Sequence, residues 1–261
     1  MSYILSICLP AIRPHNWVNL YASLQSACPK HAFELVIISP YDLPESLKKV
    51  SNIKLIKDFG TPTRAAMLGS TFCTGQYIAI PADDGYFFPD SFKSAIHQIG
   101  KSAPNDIIVL RYREGAGMSG KVFPDSYWFT KTHLPVSDLH IGNNWLCATQ
   151  PLLSLNYFRE IGGFDCRFEH LAFATHDFSY RAQRNGSTLH LSKTEVMNAD
   201  HFIAKTGDHA PVHYGQTEND QPLFMQMYQD PNVVNRIKID FDNWKSSPEV
   251  WVRRWPNGIP K

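Results

Sequence analysis

Along the first 112 residues, hydrophobic and polar positions switch between two periods. Tyr3 to Leu9 is a nearly unbroken apolar run closed by Pro10, the pattern of a strand covered on both faces. Trp17, Leu20, Leu24 and Cys28 then recur three or four residues apart and predict a helix with one buried face. Glu34 to Ile38 and Ile53 to Ile56 predict second and third strands, with a short helix over Leu43 to Val50 behind Pro44. A helix from Thr63 to about Phe72 and a strand from Tyr77 to Ile80 follow. Pro89 and Asp90 open another helix, which places Phe92, Ala95, Ile96 and Ile99 on one side. Ile107 to Leu110 reads as a fifth strand. Apolar strands alternating with amphipathic helices predict an α/β fold of Rossmann-like type: a mostly parallel central sheet with helices on both faces.

The second half is less regular and rich in Pro, His and aromatic residues. It predicts one clear helix, about His176 to Asn185, closed by Gly186. Thr188 to Leu191 and Glu195 to Met197 are strand-like. No repeat, low-complexity tract or linker divides the chain, so one domain is expected over residues 1–220, with residues 221–261 as an extension packed on it.

Composition narrows the function classes. The 261 residues can bury a sizeable core. With 25 Lys and Arg against 24 Asp and Glu, a net charge of +1 gives no electrostatic case for nucleic acid. No apolar run is long enough to span a bilayer, and no basic leader precedes the first strand. The five cysteines are odd in number, widely spaced and lack any Cys-x-x-Cys pair, as expected of reduced core thiols. A cytoplasmic location is the expectation, with at most peripheral contact at the inner face of a membrane.

The most informative stretch is Tyr77-Ile78-Ala79-Ile80-Pro81-Ala82-Asp83-Asp84-Gly85. A buried strand ends there in two adjacent carboxylates, and in an open α/β sheet the carboxyl end of a strand opens into the ligand crevice. Paired acids form a hard oxygen site for a divalent cation that can bridge phosphate oxygens. An ordinary Asp-Asp-Gly turn is the alternative. Gly115-Ala116-Gly117-Met118-Ser119-Gly120 matches G-x-G-x-x-G, but it follows the fifth strand and precedes Lys121-Val122-Phe123-Pro124, which cannot open a helix. No Walker lysine motif or G-x-S-x-G elbow is present. His209 and His213 stand four apart, but the intervening Pro211 argues against a zinc site on one helix face.

Five pieces, in order, resemble the family 2 glycosyltransferases over roughly residues 2 to 205. They are Ser6-Ile7-Cys8-Leu9-Pro10, Glu34-Leu35-Val36-Ile37-Ile38, Gly60 through Gly75 into Tyr77-Ile78, Ala82-Asp83-Asp84 before Pro89, and Gly162-Gly163-Phe164-Asp165 followed by His176-Asp177 and Arg181. The resemblance implies an inverting enzyme with a single GT-A domain, residues 1–112 binding the nucleotide and 113–220 the acceptor. It also implies a nucleotide-diphospho-sugar donor, UDP-linked by expectation, a glycan or lipid-linked acceptor, and Mn²⁺ or Mg²⁺. Residue by residue, it assigns Pro10, Ala11, Arg13, Ser39, Arg64 and Asp83 to the nucleotide sugar, Asp84 and His201 to the metal, and Asp177 to the general base. Where the family usually has an acid after the second strand this chain has Ser39, and its common Glu-Asp pair is His176-Asp177, so His176 is a rival base.

The chemistry fits those residue types. Displacing a nucleoside diphosphate from an anomeric carbon passes through an oxocarbenium-like transition state and builds negative charge on the leaving group. A metal at Asp84 would stabilise that charge, Asp83 would face the ribose or donor sugar, and Asp177 would take the acceptor's proton. Trp244, Trp251 and Trp255 with Lys245, Arg253 and Arg254 suit either a membrane surface or packing on the domain; Pro248, Pro256 and Pro260 favour packing. Two other classes stay open. A sugar-nucleotide nucleotidyltransferase would need a glycine-rich loop after the first strand, which Pro10-Ala11-Ile12-Arg13-Pro14 lacks. A non-catalytic carbohydrate- or nucleotide-binding protein could share the fold.

Overall fold

A computed structural model describes residues 3–30, 32–115, 121–122, 145–200 and 208–259. The sheet runs through β1 (Leu5–Pro10), β2 (Phe33–Ser39), β3 (Ile53–Lys57), β4 (Tyr77–Ala79), β5 (Gly85–Phe87), β6 (Ile107–Gly115), β7 (Lys121–Val122), β8 (Pro151–Ser154) and β9 (Leu189–Asp200). In space the order is β3-β2-β1-β4-β8-β6-β9-β5, with β7 pairing β6.

β1 lies between β2 and β4, parallel to both, and Leu5, Ile7, Cys8 and Leu9 are wholly buried. A strand covered on both faces has no reason to alternate, which is why it reads as a continuous apolar run. α1 (Trp17–Ala27) buries Trp17, Leu20, Tyr21, Leu24 and Ala27, the stripe its spacing predicts. α2 (Pro62–Phe72) starts with Pro62 at its first position and Thr61 as the cap, whose hydroxyl accepts the Arg64 N–H at 3.1 Å. α3 (Ser91–Ile99) buries Phe92, Ala95 and Ile99.

Two expectations are corrected. The sheet is mixed rather than mostly parallel: β8 lies antiparallel between β4 and β6, and β5 runs antiparallel to β9. β8 is four residues long and begins at Pro151, so no period-two pattern marks it; a proline is tolerated at a strand's first position, and Leu152 and Leu153 are wholly buried. The helix expected over Leu43 to Val50 is a single 3₁₀ turn, Glu45–Leu47, which buries only Leu47.

In the second half α4 (Leu155–Glu160) is short, and α5 (Leu171–Arg184) starts five residues before the predicted helix. Further along, α6 (Ala210–Gly215) and α7 (Gln221–Met227) are joined by a π-helical turn. Phe224 and Tyr228 are wholly buried and pack into the same core as the β1 residues. All five cysteines are buried and unpaired. Among the described residues no helix is long and apolar enough to cross a membrane.

Candidate functional site

The two acids sit where β4 leaves the sheet and β5 begins, in a loop clamped from both sides. Asn16, just before α1, is buried and donates through Nδ2 to the carbonyls of Asp83 and Gly85, both at 3.1 Å. From the other side β9 presses so closely that a Cβ on Gly85 would lie 2.0 Å from the Asn198 carbonyl oxygen. A glycine is required there, so the Asp-Asp-Gly sequence reflects sheet packing as well as turn chemistry.

The neighbouring carboxylates have opposite environments. Asp83 accepts the Ile12 and Arg13 N–H groups at 2.7 and 2.9 Å through Oδ2, and the Arg13 guanidinium through Oδ1. Both oxygens therefore serve the turn after β1. Burial, reinforced by the Asp84 charge and opposed by Arg13, pushes Asp83 above the usual carboxylate range.

Asp84 differs. Burial disfavours its charge, but His209 and Arg13 outweigh that and hold it below the usual range. Its Oδ1 is buried and accepts no hydrogen bond, while Oδ2 lies 3.6 Å from His209 Nε2.

His209 brings its own orientation. Its Nδ1 is 3.1 Å from Asp208 Oδ1, and its Nε2 is 3.0 Å from the Arg13 Nη2 donor. With the proton on Nδ1, the Nε2 lone pair accepts from Arg13 at the edge of Asp84. Arg13 also grips Asp208 through Nε at 2.9 Å and Nη2 at 3.1 Å. The orphaned carboxylate oxygen of Asp84, with the His209 imidazole at its edge, fits a divalent cation. Among the described residues no three His, Cys, Asp or Glu side chains gather to hold one alone. The remaining positions would fall to ligand phosphates and water, the usual arrangement for Mg²⁺.

These groups share a cleft of about 170 Å³ at the carboxyl ends of β1 to β4. Of the expected site residues, the structure brings Pro10, Ala11, Arg13, Asp83 and Asp84 together there. A larger groove of about 760 Å³ runs beneath the C-terminal segment past Asp165 and Arg253, but contains neither of the adjacent acids.

Three expected residues are placed elsewhere, and these are corrections. Arg64 is buried with Nε on Asp58 at 3.0 Å and Nη1 on the Trp244 and Ser247 carbonyls at 2.7 Å, so it anchors the C-terminal segment and does not line the cleft. Ser39 is buried, with Oγ accepting the Tyr41 N–H at 3.1 Å; its neighbours Ile38 and Pro40 line the cleft instead.

Asp177 is 0% exposed. Its Oδ2 accepts from Arg181 Nε at 2.8 Å, and its Oδ1 from Arg236 Nη2 at 2.7 Å and the Tyr228 hydroxyl at 2.8 Å. Burial and the adjacent carboxylate raise Tyr228 well above its ordinary value, so it remains a donor. A carboxylate committed to two guanidiniums and a phenol is the centre of a buried polar network, not a base facing an acceptor. The expected metal ligand His201 lies outside the described residues.

Sequence reading missed Asp58, His170, Asp208, His209 and Arg254, all of which line the cleft. Asp58 had a readable signal, being an acid two residues past a predicted strand. The others come from loops and the C-terminal segment, where no periodicity places them.

His170 caps α5, accepting the Ala172 N–H at 3.0 Å through Nδ1. Burial, with His213 and His209 nearby, lowers its pKa to about 4. Its folded value lies below its unfolded one, so the unfolded chain binds the proton first as pH falls. The neutral imidazole's contribution is thus full above pH ~6.5 and lost progressively toward pH ~4, by about 2–4 kcal/mol. Thermal unfolding across that window should show the slope, and His170→Asn, which keeps a cap acceptor, should flatten it.

No protein-family model matches the chain, and no curated protein matches it. Solved structures do. A Staphylococcus aureus TarS structure of residues 1–349 superposes with a TM-score of 0.56 at 14% identity, over 97% of this chain and 91% of that one. The complex of the same TarS segment with UDP-GlcNAc gives 0.55 at 16% identity, over 75% and 58%. Its complex with UDP gives 0.56 at 16%, over 75% and 60%. The fold is GT-A-like. At such identity the likeness is one of fold alone, and in another TarS structure the alignment covers 75% of this chain and only 36% of that one.

Proposed function

We propose that the chain is a metal-dependent glycosyltransferase moving a sugar, with inversion, from a nucleotide-diphospho-sugar to a hydroxyl acceptor in glycan biosynthesis. One observation carries this reading: the orphaned, ionised Oδ1 of Asp84 beside the His209 imidazole, in a cleft at the carboxyl ends of parallel strands. The likeness in fold to TarS, whose structures include complexes with UDP and UDP-GlcNAc, supports a UDP-type donor.

Mn²⁺ or Mg²⁺ held by Asp84 with His209 would supply Lewis-acid stabilisation of charge on a leaving diphosphate. The chain's own residues set the stage for it. Asp83 fixes the turn after β1 and, through it, the Arg13 guanidinium; Arg13 in turn orients Asp208 and His209. Asn16 holds the acid loop at the right height. Ile38, Pro40 and Phe59 offer an apolar surface for a base, with Asp58 as an acceptor at its edge.

A nucleotide-binding protein of the same fold without transferase activity is the second reading, and the burial of Asp177 favours it. The test is a thermal-shift panel of UDP, GDP and CDP with Mn²⁺ or with a chelator, followed by incubation with UDP-sugars. UDP with Mn²⁺ at ~100 times its Kd should add about 2.7 kcal/mol, on the order of 5–10 °C, and much less with chelator. Equal shifts with and without chelator would remove the metal from the reading. A preference for GDP or CDP would overturn the base assignment. Binding without any release of UDP, even with glycan acceptors supplied, would leave the second reading standing.

A further inference from the structure

Residues Val250 to Trp255 cross the edge of the cleft as a strap. Val250 bridges Phe59 in parallel register, and the Trp251 N–H donates to the Phe59 carbonyl at 2.8 Å, stitching the strap to the chain just past β3. The N–H groups of Arg254 and Trp255 then turn back onto the Trp251 carbonyl at 3.0 and 2.9 Å. That turn sends both side chains to the cleft. The Trp255 ring meets Tyr41 and Phe59 edge-on, with centroids 6.4 and 6.0 Å apart.

Arg254 is the less expected of the two. Its Nη2 donates to the Asp208 carbonyl at 2.6 Å, and its guanidinium lies 5.7 Å from the Trp251 ring centre. Among the described residues no carboxylate forms an ion pair with it. Burial, opposed in part by Asp208 and reinforced by Arg13, pulls its pKa below the ordinary value. Among the described residues the guanidinium gives one hydrogen bond, to the Asp208 carbonyl, so its other donors face the cleft for an anionic ligand.

The sheet supplies a ruler. Trp255 sits by the ends of β2 and β3, whereas Asp84 follows β4. Three strand spacings at ~4.8 Å separate β3 from β4, or about 14 Å. A nucleoside diphosphate whose phosphates lie near Asp84 would extend its base toward β2 and β3.

We infer that the strap is the second half of the donor site, with Trp255 forming a wall against the nucleobase and Arg254 pairing with the diphosphate. This deepens the donor reading above and rests on it. Base–aromatic contacts are sequence-tolerant, so Trp255 contributes affinity for any base and leaves selection among bases to polar groups such as Asp58.

The test is calorimetric titration of the full chain with Mn²⁺, using UDP and inorganic pyrophosphate as probes. Trp255→Ala should weaken UDP about 5- to 150-fold and leave pyrophosphate unchanged. Trp255→Phe should keep most of the UDP affinity. Arg254→Gln should weaken both probes at least about tenfold, the loss of one charge-assisted contact. Ligand-free melting of each variant checks the fold, and should Trp255→Ala fail to fold, Trp255→Phe and Arg254→Gln decide. If the wild type binds neither probe, the donor reading itself fails. If the wild type binds and the variants bind equally well, the strap is packing only and the inference is overturned. Tighter binding by the variants would make the strap a plug, which also overturns it.

Discussion

Asp84→Asn is expected to fold as the wild type does and to lose the metal-dependent part of nucleotide binding. The Asp84 side chain ends a loop held by other groups: Asn16 fixes the backbone carbonyls on either side, and Asp83 fixes the turn after β1. Its Oδ1 takes no hydrogen bond in the fold, so exchanging a carboxylate for an amide removes no native contact there. Stability should fall only modestly, because His209 and Arg13, which hold Asp84 ionised, lose its charge. A hard divalent cation, however, requires an anionic oxygen that an amide cannot offer. The chelator-sensitive component of UDP binding should therefore vanish while any weak, metal-independent component persists. Melting curves with UDP, with and without Mn²⁺, read both effects. A variant whose Mn²⁺-dependent shift equals that of the wild type would return the Asp-Asp-Gly sequence to the status of a turn.

The second large effect is structural. Asp177→Asn leaves Arg181, which is 0% exposed, and Arg236 without their shared carboxylate. Removing one partner of a buried ion pair costs about 3–5 kcal/mol, because the remaining charges lose compensation in a poorly solvated site. For a domain of this size that is on the order of 10 °C in melting temperature. Arg181 also donates to the Ile161 and Gly163 carbonyls, so the loop carrying Gly162-Gly163-Phe164-Asp165 should loosen with it. Gly162 in that loop has φ +89, and a Cβ there would lie 2.1 Å from the Ile239 carbonyl oxygen. The Gly-Gly step is thus held by packing on both sides. Chemical denaturation of Asp177→Asn measures the loss directly. Unchanged stability with lost turnover is the opposite result, and would restore a catalytic role to this residue.

The contrast between the two acids explains why one was legible and the other misled. Asp84 follows a short apolar strand directly, and the carboxyl end of a parallel strand faces the crevice for geometric reasons. Asp177 stands inside a helix, where direction depends on which side meets the core. Its partners Tyr228 and Arg236 lie more than fifty residues further along the chain. The i, i+4 spacing of Asp177 and Arg181 was visible and is the signature of a helical ion pair. Resemblance to an acceptor-side motif outweighed that local signal.

Local pattern was enough for the framework: β1 to β4, α1, α2 and α3, and the position of the adjacent acids at a strand end. These follow from local periodicity and caps, which depend on neighbours a few residues away. The rest depends on how distant segments meet. β8 lies antiparallel between β4 and β6 with Leu152 and Leu153 wholly buried, a long-range pairing that four residues cannot announce. His209, dismissed as a zinc ligand because of the proline beside it, reaches Asp84 from a segment more than a hundred residues away. The chain from Trp244 to Ser247 took Arg64 out of the cleft, and Val250 to Trp255 brought Arg254 and Trp255 to its edge. Each of these depends on contacts between distant segments, where the deciding quantity is whose hydrogen bonds and apolar area are satisfied at once. No single stretch of residues encodes that.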